Sequence, residues 1–227
     1  MITFDKVTKN YGNITALSEI TFSISQGEFA FLTGPSGSGK TTIIKLLLRE
    51  ITPTSGTIKI GDVDIKKLKP DKIPILRRRL GVVFQDFKLL PDRTVFENVA
   101  LTLEILGEEK KSIPKKVKDI LAITELLDRA NLFPAQLAGG ELQRAVIARA
   151  VVGKPDLLLA DEPTGNLDPT TSSQIMKLLK TIHQKGTTIL MATHNAGIVN
   201  EMTQRVISLK KGKLIKDEQS GKYPHKD

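Results

Sequence analysis

The sequence predicts an α/β fold in which a mostly parallel sheet with flanking helices carries an N-terminal antiparallel β subdomain and an inserted helical subdomain. Apolar and polar residues alternate near the N-terminus, as they do in half-buried strands. From about residue 29, short apolar runs alternate with helical segments, which is typical of parallel strands joined by crossover helices. From about residue 93 to residue 152, apolar residues recur at helical spacing without a clear strand pattern.

Three segments near the N-terminus predict the antiparallel strands. Each places apolar side chains at alternate positions, so that one face of the strand can be buried while the other meets solvent. The apolar positions are Ile2, Phe4 and Val7, then Ile20, Phe22 and Ile24, then Ile58, Ile60, Val63 and Ile65.

Short, almost uninterrupted apolar runs predict the strands of the parallel sheet. The first run, Phe29–Thr33, stops at a glycine and leads into a helical segment at 42–48. Similar runs return at 157–160, 188–192 and 206–209, and a helix is predicted over 171–184. Strands that alternate with helices in this way are expected to pair in parallel.

Composition and charge narrow the classes of function. The chain has 40% hydrophobic residues, no cysteine and no apolar run near the roughly 18 residues of a membrane span, so we expect a cytoplasmic protein without disulfides or thiolate metal sites. The formal charge of +9 has three possible explanations: binding to nucleic acid, binding to an anionic membrane surface, or an ordinary solvated surface with no charged partner. Aromatic residues make up only 4%, which argues against a platform for stacking single-stranded bases.

Residues 34–41 fit the pattern G-x-x-x-x-G-K-[ST] at every required position, between a predicted strand and a predicted helix. Its glycines let successive backbone N–H groups turn toward one anion, and the start of the helix adds its dipole. Lys40 can neutralise the β- and γ-phosphates of a nucleotide, and the Thr41 hydroxyl can ligate Mg²⁺. This phosphate loop predicts ATP binding and completes the fold as a P-loop NTPase core. The predicted binding residues are Gly34, Pro35, Ser36, Gly37, Ser38, Gly39, Lys40, Thr41 and Thr42.

Polar residues follow two further predicted strands of the parallel sheet. Asp161 and Glu162 come directly after the run at 157–160, at the strand end where such sheets bind ligands. Asp161 is predicted to hold Mg²⁺, directly or through water, and Glu162 to polarise the attacking water as general base. His194 follows the next run, and we expect it to contact the γ-phosphate or to orient the water.

A second glycine-rich helix start lies about a hundred residues after the phosphate loop. Ala138, Gly139, Gly140 and Glu141 precede a predicted helix, and two glycines at that place make another backbone anion site. One nucleotide in one subunit does not need both sites. We therefore expect the signature segment, residues 137–141, to serve a nucleotide held by another copy of the chain.

With these motifs together, the chain resembles an ABC-type ATPase, the nucleotide-binding subunit of ATP-binding cassette systems, from Met1 to about Lys216. The resemblance implies that Tyr11 stacks on adenine and that Gln85 links Mg²⁺ and the attacking water to a groove for a membrane partner. It implies that residues 137–141 are the signature motif and that the loop ending at Asp168 crosses a dimer interface. Two copies would then sandwich two ATP molecules.

The resemblance also divides the chain into regions. Residues 1–216 form the ATPase domain, with the helical subdomain at roughly 93–152, and residues 217–227 form a basic flexible tail. That tail, together with the lysines from Lys210 onward, is a candidate contact for anionic lipid at the inner face of the cell membrane.

One departure from the family pattern concerns Ala138, where the family usually has serine. A hydrogen bond to a charged group is worth about 1.5–3 kcal/mol, so the missing hydroxyl predicts weaker ATP-driven closure and slow turnover. The backbone N–H groups of Gly139 and Gly140 remain, and the site is not expected to be inactive.

The stretch from Gln85 to Val95 indicates to which branch of the family the chain is most similar. Its Asp92, Arg93, Thr94 and Val95 resemble the cell-division branch more than the lipoprotein-release and efflux branches, which share its other elements. The loop 85–95 is predicted to face an integral membrane partner; the less favoured alternative is that its apolar residues simply pack the helical subdomain. A DNA-associated ABC ATPase is a further alternative, but the long coiled-coil insertion or zinc cysteines of that class are absent, and no nucleic-acid partner is expected.

Overall fold

The computed structural model describes residues 1–223, which contain ten strands and seven α-helices. The strands are β1 Ile2–Tyr11, β2 Ile14–Ile24, β3 Phe29–Thr33, β4 Ser55–Ile60, β5 Val63–Asp64, β6 Leu80–Val83, β7 Leu157–Asp161, β8 Thr188–Thr193, β9 Arg205–Lys210 and β10 Lys213–Glu218. The helices are α1 Lys40–Leu47, α2 Ile73–Arg78, α3 Val95–Ile105, α4 Ile113–Ile123, α5 Gly139–Val151, α6 Pro169–Gln184 and α7 Ala196–Met202. Short 3-10 turns lie at Ile65–Lys67, Pro70–Lys72, Leu127–Arg129 and Pro134–Gln136.

These elements fall into two units. One unit comprises Met1–Arg77 together with the chain from Thr188 onward, and the other comprises Arg78–Thr187. The mixed α/β class with an antiparallel and a mostly parallel sheet is confirmed.

The antiparallel sheet of the first unit has the order β2-β1-β4-β5. Phe4 of β1 pairs with Phe22 of β2 and with Ile58 of β4, and all three side chains are buried. The rings of Phe4 and Phe22 stack with their centroids 4.7 Å apart. The alternation that predicted these strands therefore corresponds to one buried face.

The last predicted strand of this sheet is shorter than its apolar pattern indicated. Strand β5 ends at Asp64, whose side chain accepts a hydrogen bond from the Lys66 N–H at 3.0 Å and starts a 3-10 turn. Ile65 is buried within that turn and not within a strand. Local capping by an aspartate has overridden the period-two pattern here.

The other sheet of the first unit places β3 between two parallel neighbours, β8 and β9, and β9 pairs antiparallel with β10. All residues of β3 and β8 are buried, as their apolar runs predicted. The Thr33 and Ser208 hydroxyls pair at 2.8 Å, which satisfies two buried polar groups.

Strand β10 ends at Glu218, two residues into the region expected to form the basic tail from residue 217. The guanidinium of Arg205 binds both carboxylate oxygens of Asp217 at 2.8 Å and one of Glu28 at 2.9 Å, and these carboxylates raise its pKa. Beyond the strand, the N–H of Gly221 donates to the Gln204 carbonyl and that of Tyr223 to the Asn200 side chain. The rest of the predicted tail, residues 224–227, lies outside the described residues.

The second unit combines the parallel pair β6 and β7 with helices α3 to α6. Strand β6 was not predicted from the sequence, because it is only four residues long and contains Gly81. A side chain at Gly81 would place its Cβ 2.5 Å from the carbonyl oxygen of Ala150 in α5, so glycine is required by close packing of the helix.

Helices α3, α4 and α5 share an apolar core within the predicted helical region. Helix α3 begins with a capping box, in which the Thr94 hydroxyl accepts from the Glu97 N–H and the Glu97 carboxylate accepts from the Thr94 N–H. The buried residues of this core are Val95, Val99, Ala100, Leu103, Ile113, Val117, Leu121, Leu126, Ala145, Ala148 and Val152.

Candidate functional site

The phosphate loop leaves the carboxyl end of β3 and passes directly into α1. Gly34 has a φ of +143°, and a Cβ there would lie 2.2 Å from the carbonyl oxygen of Leu209. Gly39 has a φ of +111°, and its Cβ would lie 2.5 Å from a methyl carbon of Leu17. Both positions have left-handed backbone; at Gly34 a backbone carbonyl leaves no room for a side chain, and at Gly39 the Leu17 side chain would have to shift, so the fold itself favours glycine at both before any ligand binds.

Lys40 folds back over this loop. Its ammonium group donates hydrogen bonds to the carbonyl oxygens of Gly34 at 2.8 Å and Pro35 at 3.2 Å, and the residue is only 7% exposed. Helix α1 begins at Lys40 and has no acidic residue in its first turn. The positive end of the helix dipole is therefore not neutralised by its own side chains, which suits binding of an anion.

The hydroxyl of Ser38 is buried, and it has no hydrogen-bond partner among the residues that the structure describes. It lies under the loop, where a Cβ on Gly34 would approach its oxygen to 2.7 Å. Pro35, Ser36 and Gly37 are exposed at the top of the loop, and so is Thr41 at the start of α1. The loop thus offers accessible backbone and hydroxyl groups on one side and close packing on the other.

His194 is positioned by the sheet that carries the phosphate loop. Thr193, at the end of β8, pairs in parallel with Thr33, at the end of β3, so His194 and Gly34 leave adjacent strands at the same edge. His194 is exposed, and the next residue, Asn195, caps α7 by accepting from the Ile198 N–H at 3.2 Å.

Tyr11 ends strand β1 in the antiparallel sheet of the same unit. Its side chain is 44% exposed, and the ammonium group of Lys9 lies 5.0 Å from the centre of its ring. An exposed ring of this kind has a face available for stacking.

In the second unit, the predicted acidic residues and Gln85 follow neighbouring strands. Val83 pairs with Ala160, so Gln85 after β6 and Asp161 at the end of β7 leave the same edge of the parallel pair. Asn166 lies in the turn that follows Glu162. The side-chain amide nitrogen of Gln85 lies 3.5 Å from the side-chain oxygen of Asn166. Glu162 itself has a φ of +49°, a strained conformation for a residue with a side chain.

The signature segment forms the N-terminus of α5 with Ala138 at the N-cap position. The Glu141 carboxylate accepts from the Ala138 N–H at 3.0 Å and pairs with Arg129 at 2.9 Å, and these contacts lower its pKa. Ala138 has no hydroxyl to cap the helix in return. A Cβ on Gly140 would lie 2.6 Å from a methyl carbon of Thr171, so packing of α5 against α6 demands this glycine as well.

Asp168 is the N-cap of α6. Its carboxylate accepts from the Thr171 N–H at 3.0 Å and from the Thr171 hydroxyl, and these bonds lower its pKa. Thr171 therefore binds Asp168 and lies beside Gly140, which places the predicted signature segment next to the predicted dimer-crossing loop.

Arg149 is a residue that sequence reasoning missed. From α5 it donates hydrogen bonds to the carbonyl oxygens of Lys88 at 2.6 Å and Phe87 at 3.1 Å, and burial lowers its pKa. Phe87 and Lys88 both have a positive φ, of 53° and 51°. The guanidinium thus holds a strained part of the 85–95 loop, and no local pattern in the sequence indicates this contact.

Asn98 holds the other half of the same loop. This fully buried side chain accepts from the Leu90 N–H at 2.8 Å and donates to the carbonyl oxygens of Leu90, Arg93 and Thr94. Leu90 itself remains 37% exposed. The three-residue spacing of Thr94 and Glu97, typical of a capping box, was the one sequence signal that could have marked this end of the loop.

The described residues include no helix long and apolar enough to cross a membrane. In that same part of the chain there is no cluster of three or more histidine, cysteine, aspartate or glutamate side chains able to hold a metal by themselves.

Comparisons with known proteins agree on one family. The sequence profile described as ABC transporter matches residues 17–165. The chain is 51% identical to the cell division ATP-binding protein FtsE of Bacillus subtilis, with 98% of each chain covered. It is 47% identical to the protein of the same name from Escherichia coli, over 94% of this chain and 97% of that one.

Solved structures give the same result for the fold. The ATP-binding cassette MJ0796, in a dimeric post-hydrolysis state with ADP and Pi, is 35% identical and superposes with a TM-score of 0.87. The match covers 98% of this chain and 100% of that one. A second dimeric structure of MJ0796 superposes with a TM-score of 0.88 at 36% identity.

Proposed function

The chain belongs to the ABC transporter family of ATP-hydrolysing proteins, and we propose that it is an FtsE-type subunit that acts with the membrane protein FtsX in cell division. The observation that carries the proposal is the 51% identity to FtsE over almost the whole length of both chains. In this role, ATP-driven closure of a dimer would bend the membrane partner, which in turn controls cell-wall hydrolases. The output is mechanical, and no solute is moved.

ATP binding is assigned to the phosphate loop, with Tyr11 stacking on adenine. One stacked base contributes about 1–3 kcal/mol. Each charge-assisted contact to phosphate contributes about 1.5–3 kcal/mol, and the loop offers several. Phosphate contacts therefore dominate the binding free energy. Lys40→Ala is expected to remove most nucleotide affinity, because the ammonium group now held by two carbonyls is the loop's only side-chain cation.

The residues assigned to magnesium fit this ion in their chemistry. Thr41, Gln85 and Asp161 offer a hydroxyl, an amide carbonyl and a carboxylate, and Mg²⁺ prefers oxygen ligands of these kinds. When bound, the ion neutralises charge on the β- and γ-phosphates. The family resemblance assigns these ligands.

Glu162 is proposed as the general base that accepts a proton from the attacking water. The place of Glu162 directly after β7, at the strand end where parallel sheets bind ligands, supports the assignment. Gln85 and His194 are proposed to contact the water and the γ-phosphate. Binding of the phosphates, positioning of the water and proton removal are thus divided among separate side chains.

A homodimer is proposed as the hydrolysing state, since the structural relatives with dimeric cassettes share this fold. Gly139, Gly140 and Asp168 would face the nucleotide held by the other subunit. Contact between Thr171 and both Gly140 and Asp168 supports a shared surface. The protein would then be peripheral at the inner face of the cell membrane, and the basic residues from Lys210 onward are a candidate contact for anionic lipid.

The partner surface is assigned to the 85–95 loop and the adjoining helices. Arg149 and Asn98 hold this loop from beneath, while Leu90 is left exposed. An ATPase of a LolD- or MacB-like lipoprotein-release or efflux transporter is the alternative, because those branches share most of the loop's sequence. A DNA-associated role is less favoured, and a salt-dependent gel shift with duplex DNA would reveal it.

Isolation of the membrane complex tests the proposal. The tagged chain is purified from its own membranes in mild detergent, and the bound membrane protein is identified by mass spectrometry. We expect an FtsX-type protein, whereas a lipoprotein-release or efflux permease would overturn the proposal. Leu90→Asp should lose the partner and retain ATP binding, and Ile215→Asp, at another exposed apolar side chain, should retain both.

A further inference from the structure

Gly212, in the turn between β9 and β10, joins two distant parts of the first unit. Its N–H donates to the carbonyl oxygen of Ser38 in the phosphate loop at 3.1 Å. Its own carbonyl oxygen accepts from the N–H of Ser18 in β2 at 2.8 Å. The backbone of this one residue therefore links the phosphate loop to the antiparallel sheet.

The turn has no space for another residue at this position. Gly212 has a φ of +74°, and a Cβ there would lie 2.6 Å from the carbonyl oxygen of Ala16. The neighbouring Lys211 also has a positive φ, of 50°, as two-residue turns between antiparallel strands require. The turn conformation needs a residue that tolerates a positive φ at position 212. The close approach of the Ala16 carbonyl oxygen is a second reason for glycine, and it comes from β2 and not from the turn itself.

The bond to Ser38 determines the direction of one phosphate-loop N–H group. In a trans peptide, the carbonyl oxygen and the following N–H point in opposite directions. Because the Ser38 carbonyl points to Gly212, the N–H of Gly39 points away from the turn. Gly39 is the N-cap of α1, where backbone N–H groups are the donors available to an anion.

Strand β9 contacts the beginning of the phosphate loop too. The carbonyl oxygen of Leu209 occupies the space that a side chain on Gly34 would need. The β9–β10 hairpin therefore bounds the loop at both Gly34 and Ser38, which lie six and two residues before Lys40. Neither contact involves a side chain that could be recognised from a motif.

The other bond of Gly212 leads toward Tyr11. Ser18 lies in β2, whose earlier residues pair with the end of β1, Thr15 with Asn10 and Ile14 with Tyr11. Strand β2 therefore connects, through its backbone, the strand end that carries Tyr11 to the loop that carries Lys40, although its pairing with β1 shifts register between Lys9 and Asn10.

From this geometry we propose that the β9–β10 turn is a positioning element of the nucleotide site. Gly212 orients the Ser38–Gly39 peptide for phosphate and holds the Tyr11 hairpin in register with the phosphate loop. It does not itself touch the nucleotide. The proposal rests on the assignment of the phosphate loop and Tyr11 to ATP.

Gly212→Ala tests the proposal, with Gly61→Ala as its matched control. Gly61 stands in the two-residue turn between β4 and β5 with a φ of +60°, and nothing lies within 4 Å of a Cβ placed there. Both variants impose backbone strain on a hairpin turn of the same unit, but only Gly212→Ala pushes against β2 and disturbs the bond to Ser38.

Affinity for ATP and ADP is measured by titration of the full-length chain, alongside urea unfolding without nucleotide. We expect about a tenfold or greater loss of affinity for both nucleotides in Gly212→Ala, the size of one lost charge-assisted hydrogen bond, and little change in Gly61→Ala. Equal affinities in the two variants at similar unfolding midpoints would overturn the proposal. A wild-type chain that binds no ATP would instead refute the proposed function.

If Gly212→Ala does not fold, hydrogen exchange of the wild-type chain tests whether the β9–β10 turn is coupled to the nucleotide site. Amides of the β9–β10 turn should exchange more slowly with ADP bound, although the turn makes no contact with nucleotide in the proposal. Amides of the β4–β5 turn should not change. Unchanged exchange in the β9–β10 turn, with slower exchange in the phosphate loop, would show that the turn is not coupled to the site.

Discussion

Replacing Ala138 by serine restores a hydroxyl at the start of α5, and its effects on the single subunit and on the dimer can be separated. Ala138 is the N-cap residue, with extended backbone, and Glu141 already accepts from its N–H. Serine would complete a capping box by accepting from the Glu141 N–H. A good N-cap residue stabilises a helix by about 0.5–2 kcal/mol relative to alanine. Ala138→Ser should therefore raise the unfolding free energy of the isolated subunit by this amount.

The second effect belongs to the ATP-bound dimer. If the signature segment faces the nucleotide of another subunit, the serine hydroxyl donates to the γ-phosphate. A hydrogen bond to a charged group is worth about 1.5–3 kcal/mol. That range corresponds to roughly 10- to 150-fold in the closure equilibrium or in the rate. The hydroxyl can still accept from the Glu141 N–H while it donates, so the two effects do not exclude each other.

Ala138→Gly is the control that isolates the hydroxyl. Glycine is nearly as good an N-cap as serine, differing by only a few tenths of a kcal/mol, but it has no side chain to reach a phosphate. Dimerisation with ATP is measured by sedimentation and turnover by phosphate release, for wild type and both variants. We expect both variants to be more stable than wild type and only Ala138→Ser to dimerise and turn over better. If the serine and glycine variants match in both assays, the reasoning about the signature segment is wrong.

Three further predictions follow from the site. Glu162→Gln should retain ATP affinity but accumulate an ATP-bound dimer, because the base is lost while the shape is kept; turnover at the wild-type rate would exclude Glu162 as the base. GTP should compete with ATP at millimolar concentration, because phosphate contacts dominate the binding free energy; a titration that detects no GTP binding would contradict this. Arg149→Met should speed hydrogen exchange in the 85–95 loop and leave the phosphate loop unchanged, since two hydrogen bonds to strained residues are lost; unaltered exchange around Phe87 and Lys88 would show that Arg149 does not hold the loop.

The elements that were predictable from sequence depend on residues close together in the chain. The phosphate loop is a contiguous motif, and its strand and helix follow from local apolar patterns at Phe29–Thr33 and in α1. The alternation in β1 and β2 likewise predicted their buried faces. In each case the physical demand, whether burial of one face or turning of backbone N–H groups to one anion, acts over a few consecutive residues.

Tertiary structure decided the features whose partners are remote in sequence. Asp217 and Glu218 are held in β10 by pairing with β9 and by the Arg205–Asp217 contact, and β6 contains a glycine because α5 packs against it. Composition near residue 217 shows only charge, and charge by itself does not distinguish a paired strand from a solvated tail.

The proposed functional residues and their supports also fall into two groups, those marked by contiguous motifs and those placed by tertiary contacts. By itself, the sequence determined that the chain has a phosphate loop, two acidic residues after a buried strand and a second glycine-rich helix start. Only the tertiary structure showed that Gly140 is also required by contact with Thr171, that Arg149 supports the 85–95 loop, and that Gly212 bonds to Ser38. These contacts are made by backbone groups or single side chains across long loops, so their energies depend on topology and leave no periodic trace in the sequence.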